Sequence, residues 1–179
     1  MVMICSLVKS MPKYSVVGHL DDVHQALSIT RPVLQHVARH RQSTAWATEA
    51  GGQLFGTINA EQVCVTEVSG PYAGDERSRY RYRSHPTAAQ RAIEERHKRG
   101  LLYLGEWHTH AEDTPSASSL DDEAMRRLIS SSQLNCDALL MMIVGCARGA
   151  AGLAIWSVSS KTMRQWSLSE GSESILLRK

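Results

Sequence analysis

Phenylalanine occurs once in 179 residues and aromatic residues make up only 6%, so aliphatic side chains and methionine must fill most of any core. Cysteine is scarce: Cys5, Cys64, Cys136 and Cys146 are scattered, with neither CxxC nor zinc-finger spacing. That excludes a disulfide scaffold and leaves reduced, buried thiols as the expectation. No charge of one sign dominates, since 20 Lys and Arg face 18 Asp and Glu for a net charge of +2. A bulk nucleic-acid binder is thereby excluded, and any basic surface must be local. No window approaches the roughly 20 apolar residues of a membrane span. The apolar start of the chain precedes Lys9, the reverse of the order a signal peptide needs. A cytoplasmic location with no membrane partner is the expectation.

What is present fits one ordinary globular domain. Hydrophobic residues reach 42% and charged residues 21%, with a mean hydropathy of −0.26, which excludes disordered, collagen-like and coiled-coil classes. Residues 1–24 read as a leader or an irregular first strand, 25–168 as the domain, and 169–179 as a C-terminal tail. Thr30 with Pro32 opens a helix whose apolar positions are Val33, Leu34, Val37 and Ala38. Gln53–Ile58 and Val63–Val68 form a hairpin across Asn59-Ala60-Glu61. Residues 77–84 alternate strictly, which as one strand places Arg77, Arg79, Arg81 and Arg83 on one face and Tyr80 and Tyr82 on the other. A helix from Pro86 to about Arg99 stops at Gly100. Leu101–His108 is a strand leading into a polar loop. A third helix from Leu120 to about Ser131 presents Leu120, Ala124, Leu128 and Ile129. Ala138–Val144 is a buried central strand, and Gly152–Val158 with Thr162–Leu168 is a closing hairpin. Helices and strands interleave, so the fold class is α/β or α+β on a mixed sheet.

The chemistry concentrates in residues 105–121. His108 and His110 stand two apart at a strand end, so both imidazoles point to one face and can converge on one ion. Asp121, arriving on the next helix, completes three ligands and leaves a position open for water, as a catalytic zinc requires. Each part also has a plainer reading. A His-x-His pair on a strand is often just two polar residues, and Ser118-x-x-Asp121 is a helix capping motif. Glu106 shares the strand face of His108 and is either a further ligand or a partner of a ligand histidine. Eight histidines are many for this length, but the other six show no ligand spacing. The arginine row reads as a solvated edge strand or as a surface for an acidic partner. Nucleic acid is disfavoured, because Tyr80 and Tyr82 lie opposite the arginines.

Taken together, His108, His110, Ser118 and Asp121 reproduce the spacing His-x-His, seven residues, Ser, two residues, Asp. This resembles the JAMM motif of the JAB1/MPN metalloproteases. The block from Glu49 to Gly56, Ser69-Gly-Pro71 and the stretch 103–107 are similar to prokaryotic JAB domains. The likeness extends over roughly residues 25–160, and it is nearest to JAB proteins of integrative elements and of anti-phage (CBASS-like) operons. It implies a single MPN/JAB-type domain, a mixed sheet flanked by helices, with a cytidine-deaminase-like architecture. It implies one Zn²⁺ per chain on His108, His110 and Asp121 with water as fourth ligand, Glu49 as the catalytic base, and Ser118 as a hydrogen-bond donor to the oxyanion. Gly51 and Gly52 permit close backbone approach beside Glu49. The chain departs from the family at Ala111, where proline is usual.

The function implied is a zinc isopeptidase that releases a ubiquitin-like modifier, or a protein conjugated through its C-terminus, from its target. Arg79 and Arg81 are the candidate substrate-binding residues. The alternatives are a peptidase trimming the tail of a ubiquitin-like sulfur carrier, and a non-catalytic MPN scaffold or RadC-like protein of DNA metabolism. A cytidine deaminase is excluded by the lack of His-x-Glu followed by Pro-Cys-x-x-Cys, and a zincin by the lack of His-Glu-x-x-His. Oligomeric state is not readable from the sequence.

Overall fold

The computed structural model describes residues 14–132, 136 and 138–171. A nine-stranded mixed sheet forms the body. Its strands are β1 (Tyr14–His19), β2 (Ala26–Thr30), β3 (Gly51–Ile58), β4 (Gln62–Val68), β7 (Leu102–Thr109), β8 (Ala138–Val144), β9 (Leu153–Ser159), β10 (Met163–Gln165) and β11 (Ser167–Glu170). Their spatial order is β10-β9-β8-β7-β3-β4-β2-β1-β11. Two shorter strands, β5 (Glu76–Ser78) and β6 (Arg81–Arg83), form a separate hairpin. Three helices accompany them: α1 (Arg31–Ala38), α2 (Pro86–His97) and α3 (Ser119–Ser131).

The expected β3–β4 hairpin forms, and Asn59 makes its turn by accepting the Glu61 and Gln62 amides on Oδ1 at 2.9 and 2.8 Å. The segment 162–168, expected as one strand, breaks at Trp166. The first part, β10, pairs with β9, while β11 pairs with β1 at the other end of the order. One residue separates the two, so the sheet must curl until its edges meet. Trp166 fixes the seam: its amide donates to the Ile155 carbonyl at 2.9 Å and its indole to Ser157 Oγ at 3.0 Å. Two residues of the expected C-terminal tail, Ser169 and Glu170, thus belong to the sheet. At the N-terminus β1 pairs with β2, with a register shift between Tyr14 and Val16.

Strand β8 is apolar on both faces, as its continuous run predicts. Leu140, Met142 and Val144 point to the core that α1 closes with Val33 and Val37. Leu139, Met141 and Ile143 meet α3 on the opposite face. Helix α2 covers that second face farther along, where the Arg96 guanidinium lies 5.0 Å from the Phe55 ring centroid.

Two expected patterns are corrected. Leu120 and Ala124 do not face the core; Leu120 is 65% exposed, and the buried residue of α3 is Met125, with Leu128 and Ile129 beside it. The inward stripe is therefore Asp121, Met125, Leu128 and Ile129, at helical spacing. The rotation that seats Met125 in the core turns Asp121 toward β7. The arginine strand is likewise not one strand. The chain reverses at Arg79-Tyr80, pairing Glu76 with Arg83, Arg77 with Tyr82 and Ser78 with Arg81. Pairing puts Arg77 and Tyr82 on one face, and Arg81 and Arg83 on the other with Ser78 and Glu76.

Candidate metal centre

Strand β7 alternates sharply. Trp107 and Thr109 are fully buried in the core, so Glu106 and His108 point to the opposite face, and His110 follows them one step past the strand. The His110 amide donates to the Val144 carbonyl of β8 at 3.0 Å, which keeps the chain extended there. Nε2 of His108 lies 3.1 Å from Nε2 of His110 and 3.1 Å from Oδ1 of Asp121. Nε2 of His110 lies 3.6 Å from Oδ2 of Asp121. These three side chains form the one cluster of metal-capable donors among the described residues, with ligand atoms within 4.8 Å of one another.

Asp121 reaches the histidines because Ser118 starts helix α3. Ser118 Oγ accepts the Asp121 amide at 3.2 Å, and the Ser118 amide and hydroxyl each donate to Asp121 Oδ2 at 2.7 Å. The capping motif and the donor cluster thus share Asp121. Burial would raise the Asp121 carboxyl, but the hydrogen bond and charge of His108, with the two Ser118 bonds, outweigh it and hold it well below the usual carboxylate range. Burial, followed by the nearby His108, lowers His110. An ionised carboxylate beside a neutral imidazole is what a zinc ligand set requires.

Glu49 arrives from the neighbouring strand. β3 runs antiparallel to β7 with Gly51 opposite His108. The ladder continues past the strand end: the Thr109 amide donates to the Ala50 carbonyl at 2.9 Å, and the Ala50 amide donates to Thr109 Oγ1 at 3.0 Å. One step further puts Glu49 opposite His110, and opposite residues of an antiparallel pair share a face. The hairpin holds this segment from outside, because the Glu49 amide donates to the Ser78 carbonyl at 2.8 Å and Arg77 Nε donates to the Glu49 carbonyl at 2.5 Å. Glu49 is buried. Burial, reinforced by Asp121 and partly offset by His108, pushes its carboxyl up to about 7.

The Gly51-Gly52 pair is required sterically. A Cβ on Gly52 would lie 1.9 Å from the Ser69 carbonyl oxygen, and one on Gly51 would lie 2.4 Å from that of Trp107. This close approach also lets the Trp107 indole donate to Ser69 O at 2.9 Å.

Glu106 is not in the donor cluster. Its carboxylate accepts from Gln53 Nε2 at 3.0 Å and from the Tyr103 hydroxyl at 2.5 Å, and burial pushes it up to about 7. Gln53 is fully buried, sits opposite Glu106 in the register, and also bonds Ser84 and Ser69. Sequence reasoning missed Gln53. Its signal was a polar side chain inside an otherwise apolar strand. Arg79 and Arg81 lie in the β5–β6 hairpin and not against the donor cluster. Arg79 donates to the Ala45 carbonyl and, at 3.1 Å, to the Tyr80 hydroxyl, while Arg81 is exposed.

Comparison with known proteins gives a consistent result. Residues 30–169 match the family of prokaryotic homologues of the JAB domain. The chain is 34% identical over 116 residues to a CD-NTase/cGAS isopeptidase of Vibrio cholerae serotype O1, covering 63% of this chain and 72% of that protein. It is 32% identical over 136 residues to the like-named protein of Pseudomonas aeruginosa, covering 70% and 80%, and 29% identical over 129 residues to that of Escherichia coli, again covering 70% and 80%. Among solved structures, protein DSY2949 of Desulfitobacterium hafniense shares the fold, with a TM-score of 0.57 at 20% identity over 78% of this chain and 88% of that one.

Proposed function

The chain belongs to the prokaryotic homologues of the JAB domain, and from that premise we propose that it is a zinc-dependent isopeptidase acting on a protein conjugated through its C-terminus. The observation that carries the reading is the convergence of His108, His110 and Asp121 with a buried carboxyl, Glu49, on the same sheet face. The name of the relatives points to a CD-NTase as the conjugated protein; a ubiquitin-like modifier is the same chemistry with another tail. The setting proposed is anti-phage defence. No helix among the described residues is long and apolar enough to cross a membrane, and a cytoplasmic location is proposed with it.

The donor set suits zinc: two imidazole nitrogens and one ionised carboxylate, with a side left open. When bound, the ion supplies Lewis acidity and brings the pKa of water down to about 7. Glu49, poised near 7, accepts the proton of the attacking water and delivers it to the leaving amine. Ser118 Oγ, exchanging its bond to Asp121 for one to the substrate, donates to the oxyanion. Trp107 and Thr109 anchor the histidine strand in the core, so the two imidazoles are held without further reorganisation. Arg79 and Arg81 are proposed to attract acidic groups of the substrate, chiefly raising its rate of encounter.

The test is cleavage of a reporter protein fused behind the C-terminal tail of a CD-NTase. The expected result is cutting at the tail junction that stops with chelator and returns with zinc. Intact fusion in the presence of zinc-loaded protein refutes the reading. Cutting of a sulfur-carrier tail in its place would favour the trimming peptidase.

A further inference from the structure

Two of the described side chains stand out as large, aromatic and exposed: Trp46 at 91% and Tyr80 at 76%. They come from different parts of the chain, yet one guanidinium joins their supports. Arg79 donates to the Ala45 carbonyl, the residue before Trp46, and its Nε bonds the Tyr80 hydroxyl at 3.1 Å while its Cζ lies 5.6 Å from that ring's centroid. Beneath them, the buried Gln42 side chain donates to the Arg79 carbonyl at 3.0 Å and to the Ala47 carbonyl at 3.2 Å. The loop carrying Trp46 and the turn carrying Tyr80 are therefore riveted together. The same loop delivers Glu49 three residues after Trp46, and the same hairpin bonds the Glu49 backbone.

We propose that Trp46 and Tyr80, braced by Arg79, form the anchor that grips an acidic segment of the substrate, with an apolar side chain among its carboxylates, beside the scissile bond. Exposed Trp, Tyr and Arg in one place are the residue types that dominate binding energy at protein interfaces. A monomer gains nothing from leaving a tryptophan in water, so a partner that covers it gains area at little ordering cost. Charge selects the partner. Arg79 lies against Tyr80 and Arg81 follows it, exposed, on the same hairpin, whereas Glu76 is taken by Arg83 at 3.9 Å and Asp75 by the Tyr72 and His85 amides and the Tyr82 hydroxyl. A lysine-rich segment would meet like charge there; an acidic one would not.

This inference deepens the isopeptidase reading and rests on it for the substrate, but its test has a readout apart from cleavage. Of the four tryptophans, Trp107, Trp156 and Trp166 are buried, so accessible indole fluorescence reports Trp46 alone. Two synthetic ten-residue peptides serve as probes, one with a leucine among Asp and Glu, the other with those acids replaced by Lys. The acidic peptide should shift the emission to the blue and protect it from acrylamide; the lysine peptide should do neither, and Trp46→Phe should abolish the response. With the CD-NTase tail fusion, Trp46→Ala should raise KM roughly 30-fold with little change in kcat, Tyr80→Ala should act in the same direction, and Ile58→Ala, at the far end of β3, should change nothing. If the acidic peptide leaves Trp46 as quenchable as before, or Trp46→Ala cleaves with wild-type KM, the anchor is refuted. If the fusion is never cut yet the acidic peptide protects Trp46, the surface stands and the isopeptidase reading falls.

Discussion

Ser118 is asked to do two things, and the two can be separated by magnitude. Its hydroxyl accepts the Asp121 amide as the cap of α3 and donates to Asp121 Oδ2; the proposed mechanism also turns it toward an oxyanion. Ser118→Ala removes the hydroxyl but keeps the backbone bond from the Ser118 amide to Asp121 Oδ2 at 2.7 Å. Loss of an N-cap side chain costs about 1 kcal/mol, within a range of roughly 0.5–2, and for a chain of this size about 1 kcal/mol lowers Tm by about 2–4 °C. A domain with about 5–15 kcal/mol of stability stays more than about 99% folded at 25 °C after that loss. A cap alone therefore cannot reduce activity noticeably at 25 °C. An oxyanion donor can, since removing one typically costs about 100- to 1,000-fold in kcat.

The assay is cleavage of the tail fusion at 25 °C, with Tm and zinc content measured on the same samples. The expected outcome is full zinc, a Tm lower by a few degrees and a kcat lower by about 100-fold. Ser118→Asn should restore the Tm, because Asn caps about as well as Ser, without restoring kcat. If Ser118→Ala retains kcat within threefold, its role is to cap α3 and aim Asp121, and the oxyanion assignment is wrong.

Other expected outcomes follow from the same geometry. His108→Ala and Asp121→Ala should each lose most of about one zinc per chain, measured by metal analysis after dialysis; full retention in both refutes the ligand set. Glu49→Gln should keep the fold and the zinc but abolish hydrolysis, and release of the metal would make Glu49 a ligand instead. Ala111 is exposed and its amide makes no hydrogen bond to any described residue, so Ala111→Pro should keep zinc and change stability by no more than about 1 kcal/mol; unfolding would show that the loop takes a path proline cannot follow. Glu106 is raised to about 7 from an ordinary value near 4.5, so the folded state holds its proton where the unfolded chain has lost it, and its contribution to stability falls as pH rises through that window. Relative to wild type, Glu106→Gln without metal should therefore gain stability steadily between about pH 4.5 and 7 in urea titrations; a difference that is flat with pH would mean the carboxyl is not raised.

How far the sequence carried the structure depended on whether a signal was local. His108 and His110 needed only the two-residue period of a strand. Asp121 needed the capping motif that fixes where α3 starts. The hairpin at Asn59 and the doubly buried β8 were legible for the same reason. Turns without glycine or asparagine were not: Arg79-Tyr80 reverses the chain inside a pattern that alternates as one strand, and nothing in those residue types announces it. The break at Trp166 was hidden because it depends on the two sheet edges meeting, a property of all nine strands. The stripe of α3 was misread by one position because Leu120 suits a core by type, and only packing shows that Met125 fills it.

That one-position rotation bears directly on the chemistry. With Leu120 inward, Asp121 would turn aside from β7; with Met125 inward, Asp121 heads the stripe and meets both imidazoles at 3.1 and 3.6 Å. The exposure of Leu120 is then a consequence of placing a carboxylate at the helix start. The helix also prepares that carboxylate, because a negative charge in its first turn is favoured by the macrodipole and Ser118 satisfies one of its oxygens twice. Asp121 stays ionised under conditions where His110, lowered by burial, stays neutral. Each of these two side chains therefore favours the form that a divalent ion needs, the ionised carboxylate and the neutral imidazole. Core packing, helix capping and the aim of Asp121 are settled together within α3 and its N-cap, residues 118–129, so Met125→Ala should lower the zinc retained after dialysis, and unchanged retention would show that this packing does not aim Asp121.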